Sequence, residues 1–196
     1  DGKFVASSLR EDELFTFYRA DGVRDTLSTG KAPYPFRFQG IDDTSLKVKK
    51  RIFEYRLKYN GHNDKFVVCY CLNNLFEIYN SDGSLHKRII APYPYLVDTN
   101  HLSADKLGVP IDELIFTFKD CCLTDDRIFL LYNGSSPTGM IGAQSKIYVF
   151  DYEGNPIKYY LLDRYAHSFC IDKQGGVIYA LSDENDQKQV VRYSML

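Results

Sequence analysis

Seven residues have side chains suited to binding, although they form no recognisable catalytic motif. Two of them, Tyr34 and Tyr93, occupy the same position of a repeated tetrapeptide, Ala-Pro-Tyr-Pro. The flanking prolines fix an extended backbone and project the ring. Each tyrosine is therefore either an aromatic binding platform or a ring that packs over the edge of a sheet. The polar candidates that accompany them are Asp98, His101, Arg164, Tyr165 and His167.

These seven residues predict a binding surface, and we assign no catalytic residue. A single histidine beside an apolar strand is more often a structural hydrogen-bonding group than a ligand. Both interpretations remain open for His167, which precedes a short apolar strand.

The cysteines do not predict a metal site or a disulfide framework. Their odd number and irregular spacing argue against paired bridges, and a bridge between Cys69 and Cys71 on one face of a strand would be strained. A zinc site needs four ligands at a recognisable spacing. We expect no metal and no cofactor, and we expect free thiols buried as small apolar side chains. The five are Cys69, Cys71, Cys121, Cys122 and Cys170.

Three other stretches suggest chemistry only superficially. Asp125 and Asp126 lack the alternating acidic positions and the distal Glu of a calcium loop, so they are typical of a turn. The glycine-rich residues 134–139 lack the Lys and the following helix of a phosphate loop, and a flexible connection is expected there. Residues 47–51 are basic and predict a solvated loop rather than a nucleic-acid site.

Composition narrows the class of protein further. Apolar residues make up 44% and charged residues 26% of the chain, as in ordinary globular proteins. A net charge of −2 gives no reason to expect nucleic acid or an anionic membrane as a partner. No run of about 18 apolar residues is present, so no membrane-spanning helix is expected.

A glycine turn recurs three times along the chain. In each copy an aromatic residue stands four positions before the glycine, and apolar residues alternate ahead of it. This alternation is typical of a strand, and glycine supplies the positive φ of a tight hairpin. The turns lie at Gly22, Gly83 and Gly154, and the strands that leave them are expected at 23–28, 85–91 and 156–162.

A second unit precedes each glycine turn. A polar turn leads into a strongly apolar strand that begins near Phe4, Phe66, Ile128 and Val177. Before the last three copies, further short strands are expected at 53–59, 116–123 and 168–171. The repeat thus has four strands, a to d, with short a–b and c–d turns. It predicts an all-β fold of the β-propeller class, built from four-stranded antiparallel blades. A β-sandwich would not require the same two turns to recur in order.

The repeat divides the chain into one propeller region of about four blades. We expect a partial blade at 1–28, blades at 51–91 and 114–162, and a last blade at 166–196 without its outermost strand. Because the chain starts with Asp1 at an a–b turn, it is expected to be a processed product or a fragment. Propellers often close through an N-terminal strand, so the partner strand and two further blades are expected upstream.

Extra length accumulates on one face of the predicted disc. It lies in the d–a connections at 29–50 and 92–113 and in the b–c connection at 133–145. Both kinds of connection emerge at the same end of an up-and-down blade, which we call the loop-rich face. Binding residues concentrate in long loops on a rigid scaffold, so this face is the predicted binding face.

Several segments resemble a known family. They are the repeated acidic-glycine corner, Gly-Val-Ile-Tyr-Ala-Leu at 176–181 and Val-Val-Arg-Tyr at 190–193. Together they resemble the TolB-like six-bladed β-propellers of Bacteroidetes. The resemblance implies a six-bladed disc in a periplasmic or outer-membrane-associated protein, secreted or lipid-anchored, with no established activity.

Two functions follow as hypotheses. The first is a non-enzymatic binding module of the cell envelope, whose loop-rich face takes a protein, peptide or glycan ligand. The alternative is a metal-dependent lactonase-like hydrolase or lyase, with a metal held by carboxylates and Asn at the propeller channel. The predicted innermost strands repeat no acidic residue at an equivalent position, which weighs against the alternative, although upstream blades would also supply ligands.

Overall fold

The computed structural model describes residues 3–8, 13–19, 21, 23, 31–32, 35, 46–91, 114–136, 143–172, 174, 176–184 and 187–195. Within these ranges there are fourteen strands and one short helix, α1 (Leu46–Ile52). The strands are rich in aromatic and β-branched residues, which pack well on a pleated surface. Their bounds are β1 Lys3–Ser7, β2 Phe15–Arg19, β3 Lys31–Ala32, β4 Tyr55–Asn60, β5 Lys65–Tyr70, β6 Leu75–Asn80, β7 Leu85–Ile90, β8 Phe116–Leu123, β9 Ile128–Ser135, β10 Lys146–Phe150, β11 Pro156–Leu161, β12 Ser168–Ile171, β13 Val177–Glu184 and β14 Gln187–Ser194.

The strands form four antiparallel sheets in chain order, which we call blades I to IV. Blade II (β4 to β7) and blade III (β8 to β11) have four strands each, and blade I (β1 to β3) and blade IV (β12 to β14) show three described strands. The first strands of successive blades adjoin, because β8 lies against β4 on one side and β12 on the other. These first strands are therefore the innermost ones. The expected all-β fold of four-stranded antiparallel blades is confirmed.

The strand register agrees with the sequence repeat. The repeated aromatic position lies opposite a large apolar residue at or next to the start of the preceding strand in every blade. The four pairs are Phe4 with Tyr18, Phe66 with Tyr79, Ile128 with Phe150, and Ile178 with Tyr193. Gly83 and Gly154 have φ values of 83° and 79°, the left-handed conformation that the predicted hairpins require.

Each core lies between two neighbouring blades. The second strands of blades II and III are buried on both faces, so their consecutive residues serve different cores. In β5, Val68 packs in the core between blades I and II, and Val67 packs in the core between blades II and III. In β9, Leu130 and Leu131 divide in the same way between the two sides of blade III. This explains why the second strands read as continuous apolar runs.

Two local expectations were wrong. The basic residues 47–51 belong to helix α1 rather than to a solvated loop. Val48 and Ile52, four residues apart, lie on one face of that helix and are buried in the core with Phe53, and Lys49 is buried as well. The innermost strand β4 begins at Tyr55 rather than at residue 53.

The expected boundary of the partial first blade stays a prediction. Residues 24–28 of the expected strand 23–28 lie outside the described residues, and the described partner of β2 on this side is β3 (Lys31–Ala32).

Across the described ranges, no helix has the length and apolar character needed to cross a bilayer.

Candidate functional site

The structure describes three of the seven candidate binding residues. Tyr34, Tyr93, Asp98 and His101 lie outside the described residues, and their role remains a prediction. Arg164, Tyr165 and His167 lie in the connection between β11 and β12, which emerges at the loop-rich face.

Two of them, Tyr165 and His167, lie together and are held by blade IV. The Tyr165 ring meets the His167 ring edge-on, with centroids 5.0 Å apart. The His167 Nε2 atom lies 2.7 Å from Oδ2 of Asp183. The backbone N–H of His167 donates to the Leu181 carbonyl at 2.8 Å. The ring is thus fixed from both sides, while the His167 side chain keeps about a third of its surface exposed.

Arg164 belongs to a neighbouring charge network. Its Nε atom donates to Asp163 Oδ1 at 3.2 Å, and the Tyr193 hydroxyl donates to the same oxygen at 2.5 Å. The hydrogen bonds from Arg164 and then from Tyr193 hold the pKa of the Asp163 carboxyl below its usual value. Burial, followed by the hydrogen bond to Asp163, raises the pKa of Tyr193 to about 12. This arrangement presents a cation, an aromatic ring and an imidazole, which suits polar recognition.

A second feature of the described blades is an apolar groove between blades II and III. Its volume is about 580 Å³. Asn74 and Ala91 line its loop-rich end, and Gly154 and Pro156 line the opposite end. Its walls are apolar and aromatic and carry no charged side chain among the described residues. The principal wall residues are Phe76, Ile89, Phe118, Tyr132, Tyr148 and Phe150.

The aromatic rings of this groove form one series across blade III. The centroid of Phe118 on the innermost strand lies 5.7 Å from that of Tyr132, and the Tyr132 ring lies 5.5 Å from Tyr148. Tyr148 lies 6.2 Å from Tyr159 on the outermost strand β11. One ring comes from each strand of the blade. Separations of this size are those of favourable edge-to-face and tilted pairs, so the series is a rigid wall.

A bulge places Tyr132 in that wall. Phe116 pairs with Ser135, but Phe118 pairs with Tyr132, so β9 carries an extra residue between the two pairs. Gly134 lies there with a φ of 62°, and a Cβ atom at this position would approach the Tyr132 Cε1 atom to 2.6 Å. Only glycine accepts both the backbone conformation and the ring. Gly134 was expected in a flexible loop; it is instead part of strand β9.

Sequence reasoning missed this groove because its rings come from separate strands. The available signal was Gly134 directly after the apolar run of β9, since a glycine inside a strand often marks a bulge or a close approach. Burial raises the pKa of the Tyr132 phenol, so this hydroxyl stays neutral and the wall stays uncharged at neutral pH.

The cysteines are free thiols, as expected, but they are not uniformly buried. Cys69, Cys71 and Cys121 are buried, Cys122 is partly buried and Cys170 is exposed. Cys170 lies on the short innermost strand β12. Within the described ranges, no three His, Cys, Asp or Glu side chains are arranged to hold a metal ion.

Comparison with known proteins identifies the family of this chain. No curated protein matches the chain. Among solved structures, a member of the DUF4221 family from Bacteroides vulgatus aligns with a TM-score of 0.49 and 7% sequence identity, over 73% of this chain and 46% of that chain. The chain therefore spans about half the length of that protein. A family model described as TolB-like 6-blade propeller-like matches residues 1–174. The chain belongs to this TolB-like propeller family.

Proposed function

We propose that the chain is a non-enzymatic binding module that takes an extended segment of a protein partner in the groove between blades II and III. The observation that carries this proposal is the uncharged aromatic recess of about 580 Å³. Its volume falls within the range of about 300–1,000 Å³ that is typical of ligand sites in proteins. Apolar side chains of a peptide are the ligand chemistry that suits its walls.

The composition of the wall favours a peptide over a glycan. Asn74 supplies the polar group at the loop-rich end, and the tyrosine hydroxyls supply the others. A sugar buried here would leave several hydroxyls without partners, which costs free energy for each group. Aromatic anchors in well-packed pockets provide most of the binding energy in protein interfaces.

Exposed apolar surface continues from the groove onto the outer strand. Tyr159 pairs with Tyr148, and Leu161 pairs with Lys146 two residues away, so both side chains share the groove side of blade III. Tyr159 is 61% exposed and Leu161 is 54% exposed. A contiguous apolar patch of this kind marks interaction surfaces on soluble proteins.

The test is selection of peptides from a displayed random library on the purified protein. We expect selected peptides to contain apolar or aromatic residues. The substitution Tyr148→Ser should weaken their binding about tenfold or more, because a buried aromatic anchor is worth 2 kcal/mol or more. Tyr179→Ser is the matched control, since Tyr179 is a partly exposed tyrosine on β13 of blade IV.

Two outcomes would contradict the proposal. One is a set of selected peptides that bind Tyr148→Ser and Tyr179→Ser equally well. The other is the recovery of charged peptides alone, because the described groove wall holds no charged side chain to match them. Thermal unfolding of both variants controls for loss of fold.

We further propose a periplasmic or outer-membrane-associated location, which the family resemblance supports and which cell fractionation would test. The metal-dependent hydrolase or lyase remains the alternative function.

A secondary contact is proposed at the loop-rich face. It consists of Arg164, Tyr165 and His167, together with the predicted residues Tyr34, Tyr93, Asp98 and His101.

A further inference from the structure

We propose a second site, distinct from the groove: the channel wall between the innermost strands β4 and β8 binds a small anion that carries carboxylate or phosphate groups. The site consists of Arg56 and Lys58 on β4 and Lys119 on β8.

Backbone hydrogen bonds connect the starts of β4 and β8 through Cys71, the residue that follows β5. The Cys71 N–H donates to the Glu54 carbonyl at 2.7 Å, and the Thr117 N–H donates to the Cys71 carbonyl at 2.8 Å. Arg56 and Lys119 each lie two residues beyond these anchor points, on neighbouring innermost strands.

The side of β4 that carries Arg56 is fixed by its neighbours. Tyr55 and Leu57 pack against the core between blades I and II, so the alternate residues Arg56 and Lys58 lie on the opposite side of the strand. Asn60 continues that alternation, and its amide donates to the Thr124 carbonyl of blade III at 2.9 Å. The Arg56 and Lys58 side of β4 thus faces blade III.

Lys119 lies on β8, on the other side of the gap between β4 and β8. Its Nζ atom lies 5.3 Å from the centroid of the Phe116 ring, and Phe116 packs against the core between blades I and II. A second bulge occurs at Lys119, because Phe118 pairs with Tyr132 and Asp120 pairs with the adjacent Leu131. Lys119 is therefore turned toward blade II, where Arg56 lies.

Positive charge exceeds negative charge around this gap. Glu54 contacts Arg51, and its other oxygen lies 3.5 Å from Arg56 Nη1. The Arg56 Nη1 atom also donates to the Tyr55 carbonyl at 3.2 Å. The Arg56 side chain remains 43% exposed, so part of its fork of donors stays accessible. The nearby carboxylate of Asp120 is turned to blade IV, where it accepts from the Phe169 N–H at 3.4 Å.

The buried Cys71 thiol lies within the field of the same charges. Burial raises the pKa of Cys71 to about 11, and Arg56, Lys119 and Arg51 oppose that increase while Glu54 adds to it. The charges of Arg56 and Lys119 thus act on the same buried thiol. A guanidinium offers paired donors to carboxylate or phosphate, and an excess of positive charge raises the local concentration of anions.

The experiment is isothermal titration calorimetry of the purified protein at low salt with citrate, inorganic phosphate and uncharged glucose. We expect binding of citrate or phosphate and none of glucose; the stronger of the two anions identifies the preferred group. Arg56→Gln and Lys119→Met should each weaken binding about tenfold, the value of one charge-assisted contact. Lys158→Met is the matched control, because its Nζ atom lies over a ring in the same way, 4.7 Å from Tyr160, on the outermost strand β11.

Glu54→Gln separates this site from general damage to the fold. It removes the carboxylate that competes for Arg56, so it should strengthen anion binding, an effect that partial unfolding does not produce. No heat with either anion would overturn the proposal. Equal weakening in Lys158→Met would also overturn it, because binding would then follow net charge rather than the channel wall.

Discussion

A buried carboxylate in blade II provides the sharpest test of what stabilises the blades. Glu77 lies on β6 with 0% of its surface exposed. Its Oε2 atom accepts hydrogen bonds from Tyr70 at 2.6 Å and from Tyr79 at 2.8 Å, and its Oε1 atom accepts from Arg88 Nε at 2.6 Å. Burial raises the pKa of both phenols, so both remain protonated donors at neutral pH. One carboxylate therefore connects three strands of the blade.

The expected loss of stability follows from these contacts. Removal of one partner of a buried ion pair costs about 3–5 kcal/mol. The Arg88 side chain is 30% exposed, so water partly compensates its guanidinium in the Glu77→Gln variant. We expect Glu77→Gln to lower the free energy of unfolding by about 3 kcal/mol. Glu77→Ala should cost about 5 kcal/mol, because it also leaves two phenols without acceptors and creates a cavity.

Urea denaturation of the purified variants measures these differences. The control is Glu153→Gln, in which an exposed glutamate loses its contact with His86 at 3.2 Å. An exposed pair of this kind contributes about 0–1 kcal/mol. A free energy of unfolding of Glu77→Gln within about 0.5 kcal/mol of the wild-type value, the usual range for a surface substitution, would contradict the expected loss.

Three further predictions concern single contacts. Gly134→Ala should lower the free energy of unfolding by about 1–3 kcal/mol, because the new Cβ meets the Tyr132 ring and the backbone has a positive φ; an unchanged urea midpoint would contradict this. Asn60→Ala should cost about 1–2 kcal/mol in the same assay, because its amide connects blade II to the Thr124 carbonyl of blade III, whereas a loss no larger than that of Glu153→Gln would argue against the contact. The pKa of Tyr193 is raised in the folded protein to about 12, above its unfolded value of 10.0. The contribution of Tyr193 to stability is therefore fully present below pH 10.0 and is lost as the pH rises through about 12. Tyr193→Phe should show a smaller alkaline loss of stability, and identical pH profiles of the free energy of unfolding would refute this.

The repeat made the blades predictable, because its signal is local. Each glycine turn requires a residue that tolerates positive φ. The second strands of blades II and III are buried on both faces, so both features are visible along the chain. Helix α1 was missed because a helix of seven residues shows only one buried pair at a spacing of four, Val48 and Ile52. A helical period becomes a clear signal only over a longer segment than this.

The candidate sites depended on information that is not local. The rings of Phe118, Tyr132 and Tyr148 become neighbours only because a bulge shifts the pairing of β8 and β9. Similarly, Arg56 and Lys119 are far apart in sequence and meet only through the contact of β4 with β8. The sequence pattern favoured the long connections, whereas the described groove lies between blades II and III and the proposed anion site lies at the innermost strands.

The two proposed sites use consecutive residues of strand β8, Phe118 and Lys119. Phe118 packs in the core and groove between blades II and III, while Lys119 lies in a bulge over Phe116 beside the channel. Peptide binding in the groove depends on apolar contact, and anion binding in the channel depends on charge. Salt should therefore weaken the second interaction much more than the first, since screening acts on charges. Loss of one interaction without the other would show that the two faces of β8 act independently.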